Sequence, residues 1–490
     1  MKIFAKIILF ILIFLMLSTL FYKDFNGGDD TYIYLQYVKH ILNGNGITFN
    51  AGERTYGFTS VLWLLILTIL QTFIRNALTA SIVASLGVSV LLIIFMWFLV
   101  YSFTGNNKIA LLASFLTSLD PNVLKHSFIG MEAPLTGLLG LIAIILNKDN
   151  EGKQLKFYAS GLICGLGCLN RPEMIILVIL LMIDKIWNKT TIKNFFIWLV
   201  MVMLPIAVWS IFAYLYFGTC IPSTVLAKGA AYPLFMNFWQ NIKDIFAILA
   251  VPYSIVIFII VFHLVYKLAT PNQYKEKWIR KNWIFYAFPI IQILVYSIMV
   301  SNELVYARYL YIFFPILILL VSEILFETLV FAKWKNSLLV AIIANFLLAS
   351  FVMSWGIKST YVQRECTKSR CIQWINRHTP QNASIATVQI GRIAYETDRK
   401  VISLNGIINP NFINYDKKGK DSEYVLKVKP DYIVIDGKSS QDKGIFENLE
   451  NASVVASFED TQTVLTRQLF HSGAKEAKTY MNIIKLAWRE

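Results

Sequence analysis

The chain has 490 residues, of which 56% are hydrophobic and 15% are charged, and its mean hydropathy of +0.56 is typical of a helical membrane protein. Its 45 Lys and Arg exceed its 30 Asp and Glu, which gives a formal net charge of +15. These cations fall mainly in short loops between apolar runs, without a basic face or a known reader motif. The charge therefore indicates cytoplasmic loops and argues against nucleic acid as a partner.

Apolar runs recur over residues 1–356 and predict a polytopic α-helical membrane domain. The first run follows Lys2 and Lys6 but no small-x-small cleavage site follows it, so we expect it to remain as a transmembrane helix. If residues 58–74 form a half-inserted helix, the positive-inside rule favours about eleven spans with a cytoplasmic N-terminus. The predicted spans are 5–22, 78–102, 108–126, 132–147, 157–170, 173–187, 194–217, 244–266, 283–300, 308–329 and 336–356.

Adjacent carboxylates, Asp29 and Asp30, stand out in the first outer loop, which is predicted over residues 23–77. Paired Asp side chains at a membrane edge are costly to desolvate, so they indicate a functional site. The alternative is that Asp30 caps a helix over residues 31–42. Asp29 is then favoured slightly as a catalytic base, and both residues stay in the predicted site.

Five further polar clusters fall on the same predicted face, which suggests that they converge on one site. They contribute the candidate substrate-binding residues Glu53, Arg54, Glu132, Arg171, Glu173, Lys228, Arg308 and Tyr309. Structural alternatives remain open, because Arg171 and Glu173 suit an ion pair at a helix end and Lys228 suits a snorkelling position. Several cations at one membrane level need a counter-charge, which an anionic lipid phosphate would supply.

Carboxylates beside guanidinium and ammonium groups suit a displacement at a sugar carbon. One carboxylate would accept the proton of an acceptor hydroxyl, while the cations would stabilise a departing lipid phosphate. Adjacent Asp residues also suit a divalent metal, but two acids are too few ligands to predict one. A transporter of an anionic or lipid-linked substrate is the alternative, although it predicts two related halves, which the sequence does not show.

The composition changes after Trp355, and residues 357–490 predict an extracytoplasmic α/β domain. Apolar segments bounded by turns predict strands, and two other segments between them predict helices. The strands are expected over 383–388, 400–404, 431–436, 453–458 and 463–467, and the helices over 371–377 and 422–428. A disulfide between Cys366 and Cys371 stays open, but it needs a turn between them because continuous helix would separate them by about 7.5 Å of rise.

The run from Gly28 to Tyr34, followed by the segments 43–54 and 56–63, resembles the first outer loop of the bacterial GT-C fold glycosyltransferases. It is most similar to the group that contains the mycobacterial terminal arabinofuranosyltransferase. Weaker similarities follow in the same order at 130–135, 171–173, 222–224 with Lys228, and 308–309.

The resemblance implies a multi-pass enzyme of the bacterial cytoplasmic membrane. Such an enzyme takes a sugar from a polyprenyl-phosphate donor and transfers it to an envelope glycan, lipid or protein. An Asp of the early outer loop would be the catalytic base.

Overall fold

The computed structural model describes residues 2–23, 27–148, 154–230, 233–269, 275–300, 306–327, 333–418, 420–436, 452–462 and 477–486. Within these ranges the chain is mostly helical, and a five-stranded sheet lies near its C-terminus.

The helical part begins with α1 (Lys2–Tyr22), α2 (Asp29–Leu42), α3 (Val61–Phe73), α4 (Ala77–Thr104), α5 (Asn107–Leu119), α6 (Pro121–Ile129), α7 (Ala133–Lys148), α8 (Gln154–Asn170), α9 (Met174–Trp187) and α10 (Ile192–Phe217). A short helix, α11 (Ser223–Val225), runs into a π-helical turn (Leu226–Ala230). Then follow α12 (Phe238–Ala269), α13 (Lys275–Met299), a 3-10 turn (Ala307–Leu310), α14 (Phe313–Glu327) and α15 (Lys335–His378).

Helices occupy all eleven predicted spans, and the protein is a multi-pass helical membrane protein. Among the described residues, six helical segments are long and apolar enough to cross a membrane; they are α1, α4, α10, α12, residues 282–299 of α13 and residues 335–355 of α15. Shorter apolar helices cover residues 61–73, 107–119, 133–147 and 313–326. The 13 residues of α3 are fewer than the roughly 20 that a full crossing needs.

The predicted span 108–126 is interrupted, which corrects the expectation of one continuous helix. Asp120 ends α5 and caps α6, because its Oδ1 accepts the backbone N–H groups of Asn122 and Val123 at 2.9 and 3.0 Å. Pro121 then occupies the first position of α6, where its missing N–H costs nothing.

The C-terminal part contains β1 (Ser384–Thr387), α16 (Ile390–Thr397), β2 (Lys400–Ser403), a 3-10 turn (Pro410–Phe412), α17 (Ile413–Asp416), α18 (Asp421–Val428), β3 (Tyr432–Asp436), β4 (Ala452–Gln462) and β5 (Ala477–Leu486). The sheet order is β2-β1-β3-β5-β4, with β1 parallel to β2 and β3 and with β5 antiparallel to both of its neighbours.

The expected α/β composition of this part is confirmed, and β1 to β4 lie at four of the five predicted strands. The predicted strand 463–467 lies outside the described residues. The structure adds β5, which sequence patterning missed although it lies between β3 and β4 in the sheet.

A single helix, α15, runs from the membrane part through the predicted boundary at residue 357 and into the C-terminal part. Cys366 and Cys371 both lie on this helix, and both are free thiols. The turn that a disulfide between them requires is therefore absent, and that alternative is wrong. Helical rise keeps the two residues too far apart for a bridge.

The hydrophobic core joins the first outer loop to the C-terminal sheet. Tyr37 of α2, Phe58 and Trp63 are fully or almost fully buried in the same apolar cluster as Ile385 of β1 and Ile390 of α16. A separate and larger cluster lies among the membrane helices. The sheet therefore packs directly on the loop that carries the two acidic residues.

Candidate active site

A cavity of about 260 Å³ lies where the first outer loop meets the ends of several helices. Its lining comes from α2, the connections before α7 and α9, the π-helical turn, the end of α13 and the 3-10 turn. The predicted site residues in this lining are Asp30, Glu132, Arg171, Glu173, Lys228, Arg308 and Tyr309. The structure thus brings together seven residues from five segments that are distant in sequence.

Arg171 is held between two acidic side chains. Its Nη1 donates to Oε1 of Glu132 and its Nε donates to Oε1 of Glu173, and all three side chains are buried. The ion pair at the helix end, which was one alternative for Arg171 and Glu173, is therefore present. For Arg171 the protein itself supplies two carboxylates as counter-charges.

A buried network of hydrogen bonds lies next to this ion pair in the chain, at Asn170. Asn170 donates to the Thr136 hydroxyl at 2.8 Å, and its Oδ1 accepts the hydroxyl of Ser60 at 2.6 Å. Ser60 also caps α3 by accepting the backbone N–H of Trp63. Because the network links α3, α7 and α8, it fixes the relative positions of the segments that line the cavity.

Asp30 faces the cavity beside Arg308, whose Nη1 donates to Asp30 Oδ2 at 2.5 Å. The ring of Tyr309 has the charged groups of three cations around it. The ring centroid lies 5.2 Å from the Arg171 guanidinium carbon, 5.3 Å from that of Arg308 and 5.9 Å from Lys228 Nζ. Stacking on Tyr296, at 5.4 Å between centroids, orients this ring.

The environment of Asp30 strongly favours its ionised form. Burial of the carboxyl group opposes ionisation, but the positive charges of Arg308 and Lys228 outweigh that cost. The pKa of Asp30 is consequently lowered from its ordinary value of 3.8 to about 2. The cavity therefore presents a carboxylate next to a group of cations at neutral pH.

Asp29 points away from this cavity and into the C-terminal part. Its Oδ2 accepts the backbone N–H of Gly391 and its Oδ1 accepts that of Arg392, each at 3.0 Å. Burial raises the pKa of Asp29, although the charge of Lys368 and the two amides partly oppose this effect. Neither acid caps α2, because the N-cap is Gly28 and no side chain bonds there. The expectation that Asp30 is a cap is therefore wrong.

Glu53 and Arg54 lie in the predicted loop but outside the cavity lining. Glu53 pairs with Lys400 of β2 at 2.5 Å and accepts a hydrogen bond from Asn50 at 3.0 Å. The Arg54 guanidinium lies over the ring of Tyr216, 4.6 Å from its centroid. This end of the loop passes along the C-terminal part and α10, which sequence alone did not reveal.

Other residues that were not among the predicted site residues also line the cavity, among them Thr224, Tyr296 and Ile407. The Pro222-Ser223-Thr224 motif had already singled out the first, whereas Tyr296 lies inside an apolar run that gives no signal. Within the described residues, Thr224 Oγ1 and Glu132 Oε2 are buried and have no hydrogen-bond partner. Both atoms belong to residues that line the cavity.

The side chains of the site do not fit a divalent metal. Among the residues that the structure describes, no group of three or more His, Cys, Asp and Glu side chains is placed to hold one. Asp29 and Asp30 diverge, and Asp30, Glu132 and Glu173 each bind an arginine.

Part of the sequence matches known proteins. Residues 357–481 match a family model described as a domain of unknown function, DUF8728. A stretch of 224 residues is 29% identical to the terminal beta-(1->2)-arabinofuranosyltransferase of Mycobacterium tuberculosis. This stretch covers 41% of the chain and 35% of that relative. The match therefore spans only about a third of the mycobacterial protein.

Solved structures are similar over most of the chain. ArnT from Cupriavidus metallidurans, bound to undecaprenyl phosphate, has a TM-score of 0.60 at 10% identity, with 98% of both chains covered. AglB, the oligosaccharyltransferase of Archaeoglobus fulgidus, has a TM-score of 0.58 at 12% identity, covering 89% of this chain and 69% of that one. The mycobacterial arabinofuranosyltransferase AftD has a TM-score of 0.53 at 12% identity, with 99% and 42% covered.

At these identities the structural likeness shows the fold. The chain has the fold of the GT-C membrane glycosyltransferases, and the resemblance carried by its first outer loop is confirmed.

Proposed function

We propose that the protein is a membrane glycosyltransferase that moves a sugar from a polyprenyl-phosphate donor to a glycan, lipid or protein acceptor of the cell envelope. The observation that carries the proposal is Asp30, a carboxylate that faces a cavity beside Arg308 and Lys228 within a GT-C fold. The named activity of the mycobacterial relative and the undecaprenyl phosphate bound to ArnT support the reaction class and the donor class.

In the proposed reaction, Asp30 accepts the proton of an acceptor hydroxyl while that oxygen attacks the anomeric carbon of the donor sugar. A new carbon–oxygen bond forms, and the bond from the sugar to the phosphate breaks. The electron pair of that bond leaves with the polyprenyl phosphate, whose added negative charge Arg308 and Lys228 stabilise.

The low pKa of Asp30 fits a base that is activated when the donor binds. A carboxylate with a pKa of about 2 is a weak base while Arg308 and Lys228 hold its charge. A phosphate placed on those cations shares their charge and adds a negative group near Asp30. Both effects raise the pKa of Asp30 toward the range in which it accepts a proton.

Glu132 Oε2 and Thr224 Oγ1 are the proposed partners of sugar hydroxyls. Within the described residues both atoms are buried and lack a hydrogen-bond partner, and both residues line the cavity. A hydroxyl group can donate to either oxygen, so a bound sugar would remove the cost of leaving them unpaired. These two atoms would therefore discriminate between donors that differ in hydroxyl placement.

The polyprenyl chain would enter between α9 and α13. Ile175 and Met299 line the cavity, and they are 48% and 52% exposed. Because both side chains are apolar, this opening suits a lipid chain rather than an aqueous path.

The alternative of a transporter receives no support from the cavity. Its lining residues come from the predicted outer loops, the adjoining helices and the C-terminal part, and none comes from those residues of the predicted cytoplasmic loops that the structure describes. A transport path would carry charges across the membrane part toward the other side. The arrangement of polar groups at one level favours an enzyme.

We also propose that the protein lies in the bacterial cytoplasmic membrane, with its N-terminus in the cytoplasm and the cavity and residues 357–490 outside. Cys366, which is exposed on α15, can be labelled to find the side of the membrane on which the C-terminal part lies. In a Cys220→Ser background, an impermeant thiol reagent should label Cys366 in spheroplasts and should miss a cysteine introduced at the exposed Asn188. The opposite labelling would contradict this orientation.

Release of polyprenyl phosphate tests the proposed function. The purified protein in nanodiscs is given a panel of polyprenyl-phosphate-linked pentoses and hexoses, with an envelope extract from a deletion strain as acceptor. We expect at least one donor to release its polyprenyl phosphate, and a labelled sugar to appear in the extract. If no donor releases polyprenyl phosphate and a lipid-linked sugar instead crosses the bilayer of proteoliposomes, the proposed enzyme activity is contradicted and transport is supported.

A further inference from the structure

We propose that the C-terminal part of the chain belongs to the catalytic machinery, and that Asp29 is a positioning residue that places Asp30 by binding α16. This inference rests on the proposed function, because it assigns Asp30 as the base. It assigns different tasks to the two adjacent acids.

The first observation is the pair of hydrogen bonds between Asp29 and α16. Both carboxylate oxygens of Asp29 are used, one by the N–H of Gly391 and one by the N–H of Arg392. These amides lie in the first turn of α16, where backbone N–H groups lack partners within the helix and favour a negative charge. The carboxylate therefore fastens the start of α2 to the start of α16.

The second observation is the close approach of the two backbones. A Cβ added at Gly391 would lie 2.0 Å from the carbonyl oxygen of Asp29 and 3.0 Å from the backbone nitrogen of Ile33. Only the absence of a side chain at Gly391 permits this packing. The backbone of Gly391 does not have a positive φ, so contact with α2 is the reason for glycine here.

Further contacts hold the same interface along α2. The rings of Tyr32 and Tyr395 lie 5.6 Å apart, and Lys39 at the other end of α2 pairs with Asp398. Asn50 exchanges two hydrogen bonds with the backbone of Val401 in β2, at 2.9 and 3.0 Å. Because contacts occur at both ends of α2, rotation of this helix is opposed.

Helix geometry links this interface to the base. Successive residues of an α-helix point about 100° apart around its axis. When α16 fixes Asp29, the direction of Asp30 is fixed as well, and it points to Arg308 and the cavity. Without that interaction, the first turn of α2 would be free to move Asp30 away from a reacting hydroxyl.

The C-terminal part also supplies some of the cavity wall. Ile407, which follows β2, is one of the lining residues. A Cβ added at Gly57, another lining residue, would lie 2.8 Å from Ile408 and 3.1 Å from the Ile407 carbonyl oxygen. The proposed site is therefore incomplete without this part of the chain.

Four variants test the positioning role in the full-length protein: Asp29→Ala, Asp29→Asn, Gly391→Ala and the control Gly87→Ala. A Cβ at Gly87 would meet nothing within 4 Å. We expect Asp29→Ala and Gly391→Ala to lower kcat by about 10² while KM for the donor changes little, because the base is misplaced. Asp29→Asn should retain more of the turnover than Asp29→Ala, since its amide oxygen still accepts one of the two backbone N–H groups.

Hydrogen exchange supplies a readout that does not depend on activity. Asp29→Ala and Gly391→Ala should speed exchange of the amides at residues 391 and 392, while Gly87→Ala should not. If Gly391→Ala does not fold, Asp29→Asn becomes the deciding variant. Loss of turnover in Asp29→Asn with unchanged hydrogen exchange at residues 391 and 392 would overturn the positioning role. Full turnover in Asp29→Ala would overturn it as well. If the wild-type protein releases no polyprenyl phosphate, the proposed function fails instead.

Discussion

Asp29 and Asp30 are neighbours in sequence, yet they belong to different regions of the molecule. Asp30 faces a cavity where Arg308 lowers its pKa to about 2, and Asp29 faces a protein interface where burial raises its pKa. One carboxylate binds an arginine side chain, whereas the other binds two backbone amides. Under the proposed function, one acidic motif would supply both a catalytic base and a contact between two parts of the chain.

The rest of the first outer loop divides in the same way. Tyr34, Gly57 and Thr59 line the cavity, while Asn50 and Glu53 bind β2. Residues on the cavity side should therefore affect turnover, and those on the interface side should affect it only through the placement of α2. The following predictions test this division.

Replacing Arg308 should have the largest effect. Arg308→Gln removes the group that binds Asp30 and that would stabilise the leaving phosphate, so we expect kcat to fall by about 10²–10³. Measurement of polyprenyl phosphate release checks this. The matched control is Arg54→Gln, because Arg54 is a cation of the first outer loop that lies outside the cavity. Equal losses in the two variants would contradict the division.

The same variant should change the dependence on pH. Wild-type Asp30 has a lowered pKa and stays ionised until the pH falls toward about 2, so kcat/KM should show no acidic limb from this group above about pH 4. In Arg308→Gln, burial still raises the pKa of Asp30, but the positive charge that opposes this effect most strongly is gone. The pKa of Asp30 should rise, and the acidic limb of kcat/KM should move to higher pH. An unchanged limb would argue against Asp30 as the base.

Replacing Arg171 should mainly affect stability. Arg171→Gln leaves Glu132 and Glu173 buried without their shared cation, which typically costs about 3–5 kcal/mol of unfolding free energy. Thermal unfolding in detergent measures the loss. The exposed Arg75 provides the control, since Arg75→Gln should change the unfolding temperature very little. If Arg171→Gln unfolds at the wild-type temperature, the ion pairs of Arg171 with Glu132 and Glu173 contribute less to stability than their geometry indicates.

Replacing Glu53 should have the smallest effect. Its pairing partner Lys400 is about half exposed, and pairs of this kind typically contribute about 1 kcal/mol or less. Glu53→Gln should therefore keep nearly all of the wild-type turnover and unfolding temperature. A large loss of turnover would return Glu53 to the active site, where the sequence had placed it.

Sequence patterns predicted the membrane helices and the convergence of four of the five further polar clusters with Asp30, because apolar length and charge placement are local properties of the chain. They did not predict that Glu53 binds β2 or that Asp29 binds α16. Those contacts join residues more than 300 positions apart, and nothing local distinguishes Asp29 from Asp30. The helical break at Asp120 had a local signal, Asp-Pro, which the apolar run around it concealed.

The role of Asp30 is tested most directly by single-turnover transfer with Asp30→Asn. Enzyme in excess is loaded with the lipid-linked sugar that the wild-type protein uses, and transfer and donor binding are both followed. We predict that Asp30→Asn binds the donor but transfers the sugar about 10²–10⁴ times more slowly, because no group takes the acceptor proton. Transfer at a near wild-type rate by a folded Asp30→Asn protein would contradict the account.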